Sequence, residues 1–283
     1  MGVNRRPAVA GTFYPGSEKS LMETLEQLFA FPPDNLSNYS PPTLKEVFGI
    51  VSPHAGYQYS GYVAAKGYSL LKSHVPFPNR VIILGPNHQG LGSIIASSTK
   101  EGWQTPLGLI QVDLEGVKKL SKLSKLVDLD DLAHEYEHSI EVQLPFLQYI
   151  YGSTFKILPI CMMAQDKHFA VELGNTIADF FIPGKDIIVA SSDFTHYEPH
   201  NIALKKDKGL ISYIEKLNVE GFYDYIDKNS MSVCGFGPIA TLMSLSKKID
   251  ASGGKLVVYM TSGDVIGEYD QVVGYASIAF GKW

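Results

Sequence analysis

The sequence is short of cysteine and has no long apolar run. Its only cysteines are Cys161 and Cys234, too few for a disulfide scaffold, so we expect a reduced, cytoplasmic protein. No apolar stretch approaches the ~20 residues that span a bilayer, and the amino end lacks the apolar core of a secretory signal. We therefore expect no membrane contact.

Positive charge is also scarce. The chain has 24 Lys and Arg against 29 Asp and Glu, a net charge of -5, so a nucleic-acid-binding surface is not predicted. Apolar residues make up 45% and charged residues 19% of the 283 positions, as in an ordinary globular protein. No repeat or clear linker divides the sequence, and we predict one domain over residues 1–283.

Three short apolar runs each end in a polar loop that carries a metal-ligand or acid-base residue. The runs and the residues that follow them are Val47–Val51 with His54, Val81–Leu84 with His88, and Ile187–Ala190 with Asp193 and His196. Such runs are typical of strands buried on both faces. Ligands of open α/β sheets bind beyond the carboxyl ends of the strands. If the three strands are parallel neighbours, these side chains meet at one edge of the sheet.

Helical patterns alternate with the strands, which predicts an α/β fold with right-handed parallel crossovers. The predicted helices are Ser20–Phe29, Tyr62–Lys72, Leu114–Leu126, Phe169–Phe181 and Leu204–Lys216, and further strands are predicted at Phe155–Met162, Leu256–Met260 and Gly274–Phe280.

Proline and glycine modify this pattern locally. Pro159, inside an apolar run, indicates an edge strand or a bulge. Ser139 is predicted to cap a helix that Pro145 bends or delays. The segments Ser52–Gly61 and Phe31–Pro42 are predicted to be loops.

The reactive side chains form a candidate set of His54, His88, His138, Asp193, His196 and Cys234. Two imidazoles and a thiolate make a three-ligand metal site with an open fourth position, as catalytic metals require. The soft sulfur suits zinc, iron or copper and disfavours magnesium or calcium. Asp193 and His196 are three residues apart, and we expect them to orient an imidazole and to shuttle protons. A helix-capping role for Asp193 is compatible with this.

Two alternatives remain open. Cys234, His196 and Asp193 also suit a nucleophilic triad, which predicts a thiol hydrolase but leaves both strand-end histidines without a purpose. A non-catalytic binding module, with Tyr57 and Tyr59 in the loop of the pocket, would recognise a peptide or an anionic ligand.

Seven segments, in order along the chain, resemble the Memo family, named for an animal mediator of cell motility. They are RPAVAGTFYPG, PHAGYQYSG, GPNHQG, EHSIEVQLPFLQY, SSDFTHY, CGFGPIA and VGYASIAF. The family is similar in fold to the class III extradiol dioxygenases. The resemblance therefore implies a three-layer α/β/α sandwich around a mostly parallel or mixed central sheet, with the site at the strand ends.

The resemblance also implies a metal pocket, with ligands His54, His88 and Cys234 and with catalytic neighbours Asp193, His196 and His138. Extradiol dioxygenases hold iron with two histidines and a carboxylate, whereas here a cysteine takes the third place. The resemblance thus implies a protein that binds iron or copper, with zinc as a further option. It also implies that the protein catalyses a redox or oxygen-dependent reaction. The implied partners are peptides for animal members and a radical-SAM system for microbial ones.

Overall fold

A central β-sheet organises the computed structural model, which describes residues 3–30 and 41–283. The strands are β1 (Asn4–Arg5), β2 (Glu46–Ser52), β3 (Arg80–Pro86), β4 (Ile95–Ser97), β5 (Gly102–Thr105), β6 (Gly108–Val112), β7 (Asp128–Leu129), β8 (Lys156–Met162), β9 (Asp186–Ser191), β10 (His196–Glu198), β11 (Gly253–Thr261) and β12 (Val272–Lys282). The helices are α1 (Glu18–Ala30), α2 (Tyr57–His74), α3 (Leu114–Leu123), α4 (Leu132–Glu135), α5 (Leu144–Tyr151), α6 (Lys167–Ala178), α7 (His200–Glu215), α8 (Val219–Asn229), α9 (Phe236–Lys248) and α10 (Ser262–Ile266). Most of the predicted loop Phe31–Pro42 lies outside the described residues.

The middle of the sheet is parallel and its margins are mixed. Strands β8, β3, β9 and β2 lie side by side in this order and run in the same direction. β12 pairs with β2 in the antiparallel direction and carries β10 and β11. The α/β fold with a mixed central sheet is therefore confirmed.

Helices cover both faces of this sheet. Nearly every residue of β2, β3 and β9 is buried, although successive side chains point to opposite faces. α2, with α1 and α5 against it, packs on β2 and β12. α9, with α6 and α7 against it, packs on β9 and β3. Among the described ranges, no helix combines the length and the apolar character that a bilayer span needs.

α2 begins earlier than its sequence pattern predicts. The glycines of Ser52–Gly61 indicated a loop, but the helix starts at Tyr57. Gly61 lies inside this helix, at a point where α1 comes close: a Cβ at position 61 would lie 2.7 Å from the side chain of Leu28. The glycine thus permits close packing of two helices, and the prediction of a loop at Tyr57 and Tyr59 is wrong.

The prediction that Pro159 marks an edge strand or a bulge is also wrong. β8 is an interior strand, paired with β3 along its whole length on one side. On its other side, β6 pairs with Lys156 and Ile157, and β4 pairs with Ile160 to Met162. On this second side, Pro159 lies in the gap between β6 and β4, where no neighbouring strand needs a hydrogen bond from its backbone nitrogen.

Pro145 delays a helix, as predicted. A single 3-10 turn spans Glu141–Gln143, and α5 follows from Leu144 with the proline in its first turn. Proline is well tolerated there because the first N–H groups of a helix have no partner within it. Residues 136–140, which include His138, form an irregular segment between α4 and this turn.

Candidate metal centre

The site lies where three neighbouring parallel strands end. His54 follows β2, Asp193 follows β9 and His88 follows β3, each two residues beyond the last strand residue. β9 lies between β2 and β3, with Ser52 paired to Ser191 and Leu84 paired to Ala190. The prediction that these strand ends meet at one edge of the sheet is confirmed.

Three imidazoles meet at this edge. One ring nitrogen from each of His54, His88 and His138 lies within 4.8 Å of the other two, so this group could hold a metal ion. The ring centroid of His54 lies 5.1 Å from that of His88 and 5.4 Å from that of His138. The rings of His88 and His138 are stacked, with 4.7 Å between their centroids. Phe13 packs on the outer side of His138, with 4.6 Å between the ring centroids.

Cys234 contacts this cluster through His54. Its Sγ lies 3.1 Å from Nε2 of His54 and accepts a hydrogen bond from the backbone N–H of Asp193 at 3.2 Å. The residue is half-buried, in the turn between α8 and α9. Loss of hydration, followed by the nearby Asp193 carboxylate, raises the pKa of the thiol. The structure thus brings the predicted ligand beside His54 and adds His138 as a third imidazole.

The carboxylate of Glu137 holds two of the imidazoles. Its Oε1 accepts from Nδ1 of His88 at 2.9 Å and from the backbone N–H of His138 at 2.8 Å, while its Oε2 accepts from the backbone N–H of His88. Burial alone would raise the pKa of Glu137, but the hydrogen bonds and the two histidines lower it to about 2. Because an ionised carboxylate only accepts, Nδ1 of His88 is the donor of this hydrogen bond, and the ring presents Nε2 on its other side.

Two of the imidazoles are neutral at physiological pH. Burial, together with the other histidines, lowers the pKa of His54 well below its usual value. Burial likewise lowers the pKa of His138, to about 4, although Glu137 acts in the opposite direction. Neutral imidazole is the form that binds metals, so these two rings are already in the protonation state that binding requires, whereas the thiol of Cys234 would have to lose its proton.

Asp193 and His196 flank the cluster. Oδ1 of Asp193 accepts from the backbone N–H of His54 at 2.8 Å, and burial raises the pKa of this carboxyl to about 6. Nδ1 of His196 lies 2.8 Å from the carbonyl oxygen of Ser232. Since a carbonyl only accepts, Nδ1 of this half-exposed ring is the donor of the hydrogen bond.

A buried ion pair fastens the amino-terminal segment to the site. Arg5 donates to the Glu141 carboxylate at 2.7 Å, and also to the carbonyl oxygens of His134 and Glu137 at 2.7 Å each. Glu141 additionally accepts from Tyr14 at 2.6 Å. This network was not predicted from the sequence, although an acidic residue between two apolar ones, Glu141 between Ile140 and Val142, is a signal for a buried carboxylate.

Asp207 is a second carboxylate that the sequence analysis did not identify. It lies fully buried on α7 and accepts from the hydroxyls of Thr195 at 2.6 Å and Tyr259 at 2.7 Å. Burial raises its pKa to about 6, although both hydrogen bonds act to lower it. Asp207 therefore anchors Thr195, one of the two residues between Asp193 and His196.

We expect Asp207→Asn to remove one component of the pH dependence of stability. The pKa of Asp207 is about 6 in the folded chain, whereas the unfolded chain releases the proton near the usual aspartate pKa of 3.8. The contribution of this group to the free energy of unfolding thus falls as the pH rises between these values, by roughly 3 kcal/mol. Urea unfolding of both proteins at several pH values measures the difference. A constant offset across this range would contradict the expectation.

Comparison with known proteins agrees with this architecture. A family model described as Memo-like protein matches residues 5–279. A MEMO1 family protein of Methanosarcina acetivorans is 49% identical over 97% of this chain and 98% of its own length. One from Methanopyrus kandleri is 45% identical over 98% and 99%.

A solved structure shares the fold at low sequence identity. The crystal structure of an uncharacterized protein from Escherichia coli K12 superposes with a TM-score of 0.58 at 12% identity, covering 83% of this chain and all of that one. This likeness concerns the fold alone. The family model and the archaeal relatives, which extend over nearly the whole sequence, show that the chain belongs to the Memo family.

Proposed function

We propose that the protein is a redox metalloprotein that binds iron or copper through His54, His88 and Cys234. The observation that carries this proposal is a thiol sulfur 3.1 Å from Nε2 of His54, which is one of three imidazoles clustered at the ligand-binding edge of the sheet. Sulfur and imidazole donors suit iron, copper and zinc, of which iron and copper change oxidation state. When bound, such an ion would supply electron-transfer or oxygen-dependent chemistry.

The surroundings of the sulfur support Cys234 as the third ligand. The backbone N–H of Asp193 donates to Sγ, and a hydrogen bond to the charged form of a group favours that form. The 3.1 Å contact with Nε2 of His54 places the two atoms as neighbours, as ligands of one ion with bonds of roughly 2.0–2.3 Å must be. A cation between them would offset the burial that otherwise keeps the thiol protonated.

Three further side chains are left for proton transfer and positioning. The half-exposed His196 has its Nδ1 engaged by Ser232 and leaves Nε2 for a substrate, which suits a general base. His138 is neutral and packs between Phe13 and His88, where it can accept or return a proton beside the ion. Asp193 holds the backbone of His54 and so fixes the direction in which that ring enters the site.

Elemental analysis of protein purified without chelator tests the proposal. We expect about one iron or copper ion per chain in the wild type, a sharp loss in His54→Ala and in Cys234→Ala, and retention in His138→Ala. Metal that survives in Cys234→Ala but disappears in His138→Ala would replace the ligand set by the three histidines. Unchanged metal in all three variants would overturn the proposal.

A thiol hydrolase is the second candidate, because the Cys234 sulfur contacts an imidazole nitrogen. That imidazole belongs to His54 and not to His196, the base of the predicted triad. Nδ1 of His196 is instead hydrogen-bonded to the carbonyl oxygen of Ser232. The raised pKa of the thiol disfavours a resting nucleophile. Rapid alkylation of Cys234 in metal-free protein, with loss of an ester-hydrolysing activity that His196→Ala also lacks, would favour the hydrolase.

A further inference from the structure

A chain of buried polar side chains extends from His54 into the core. Nδ1 of His54 lies 2.9 Å from Oγ of Ser191, which lies 2.9 Å from Nε2 of Gln143. The amide oxygen of Gln143 accepts from the hydroxyl of Tyr68 at 2.7 Å. These four side chains are almost completely inaccessible to solvent, so each polar atom depends on its protein partners.

The direction of the Gln143 hydrogen bonds is determined by a carbonyl group. Its amide nitrogen lies 2.9 Å from the carbonyl oxygen of Pro53, which can only accept. The NH2 group of Gln143 therefore faces Pro53, and its second hydrogen points to Oγ of Ser191. The amide oxygen is consequently the atom that faces Tyr68, in agreement with the hydroxyl that donates to it.

The direction of the Ser191 hydrogen bonds follows in the same way. Its hydroxyl has a single hydrogen, and Oγ lies 2.6 Å from the carbonyl oxygen of Ser139, which takes that hydrogen. Oγ already accepts from Gln143, and its remaining lone pair can only accept. Nδ1 of His54 must therefore donate to Ser191, and Nε2 is the nitrogen without a proton.

We propose that Ser191 is a positioning residue that fixes the tautomer of His54. It holds the proton on Nδ1 and thereby presents the lone pair of Nε2 towards Cys234 and the cluster. The tautomer follows from hydrogen bonds alone, whereas its use for metal binding rests on the proposed function. Replacement by alanine removes the acceptor, so the ring loses both its preferred tautomer and its fixed orientation.

The tautomer can be measured directly by nitrogen-15 NMR of the imidazole in metal-free protein. We expect wild-type His54 to show a protonated-type Nδ1 and an unprotonated-type Nε2, and Ser191→Ala to show a mixture or the opposite tautomer. Ser246→Ala is the matched control, because it removes an equally buried serine hydroxyl that has no hydrogen-bond partner among the residues the structure describes. A proton on Nε2 in the wild type, or an unchanged tautomer in Ser191→Ala, would overturn the inference.

A titration with cobalt(II), used as a spectroscopic probe, connects the tautomer to the site. We expect Ser191→Ala to bind the ion 10- to 100-fold more weakly, on the order of losses seen for groups that orient a ligand, and Ser246→Ala to bind as the wild type does. Equal affinities in Ser191→Ala and wild type would contradict the positioning role. The predicted tautomer without cobalt binding in the wild type would instead contradict the proposed function and leave the inference standing.

Discussion

Glu141→Gln is expected to lower the free energy of unfolding by about 3–5 kcal/mol, the usual cost of removing one partner of a buried ion pair. The Arg5 guanidinium and the Glu141 carboxylate are 4% and 0% exposed. Glutamine has the same shape but no charge, and its NH2 group would face two donors, either Arg5 and Ala8 or Val9 and Tyr14. Arg5 would then remain charged and uncompensated inside the protein.

Urea unfolding monitored by circular dichroism measures this effect. Glu115→Gln is the control, because it breaks the exposed Glu115–Lys118 pair and should cost less than about 1 kcal/mol. The double variant Arg5→Met, Glu141→Gln should recover part of the loss, since it also removes the stranded charge. Similar small effects in Glu141→Gln and Glu115→Gln would show that the buried pair contributes little.

The second large effect is expected in Glu137→Gln. The carboxylate accepts from His88 twice and from the backbone N–H groups of His138 and Ser139, and one amide oxygen cannot replace both of its oxygens. We expect metal affinity to fall 10- to 100-fold, because His88 loses the partner that orients it. Stability near neutral pH should fall as well, by roughly 3 kcal/mol, as the lowered pKa of Glu137 indicates.

The acid side of the stability profile distinguishes this charge effect from a general loss of packing. The pKa of Glu137 is about 2 in the folded chain, against the usual glutamate pKa of 4.5. Its stabilising contribution is therefore present above the higher value and is lost as the pH falls towards the lower one. Glu137→Gln should lack this part of the acid transition. Glu135→Gln, which replaces an exposed glutamate nearby, serves as the control. If both variants lost stability in acid in the same way, the acid transition could not be assigned to Glu137.

The strand-end part of the site was predictable from sequence. Val47–Val51, Val81–Leu84 and Ile187–Ala190 are apolar enough to mark buried strands, and parallel pairing then brings His54, His88 and Asp193 to one edge. Local apolar patterns and the tendency of ligands to bind beyond the carboxyl ends of parallel strands are sufficient for this prediction. It does not depend on knowing which side chains touch.

The supporting groups were not predictable in the same way. Arg5, Ser191 and Gln143 act through partners that are 136, 137 and 48 residues away in sequence, and no local pattern records such a pairing. Glu137 was visible as an acidic residue at a helix entrance, but its contacts with His88 depend on how the irregular segment before α5 folds back. The error at Tyr57 had a similar origin, because a glycine that serves close packing resembles a glycine that serves a turn.

The assembly of the site from distant positions constrains how the chain acquires it. The contact between Cys234 and His54 closes a loop of 180 residues, and Arg5 joins the 3-10 turn before α5 across 136. Contacts of such separation are slow to form, because the entropy of the intervening chain must be lost first. Because β2, β3 and β9 carry His54, His88 and Asp193 just beyond their ends, these side chains can meet only once the three strands have paired.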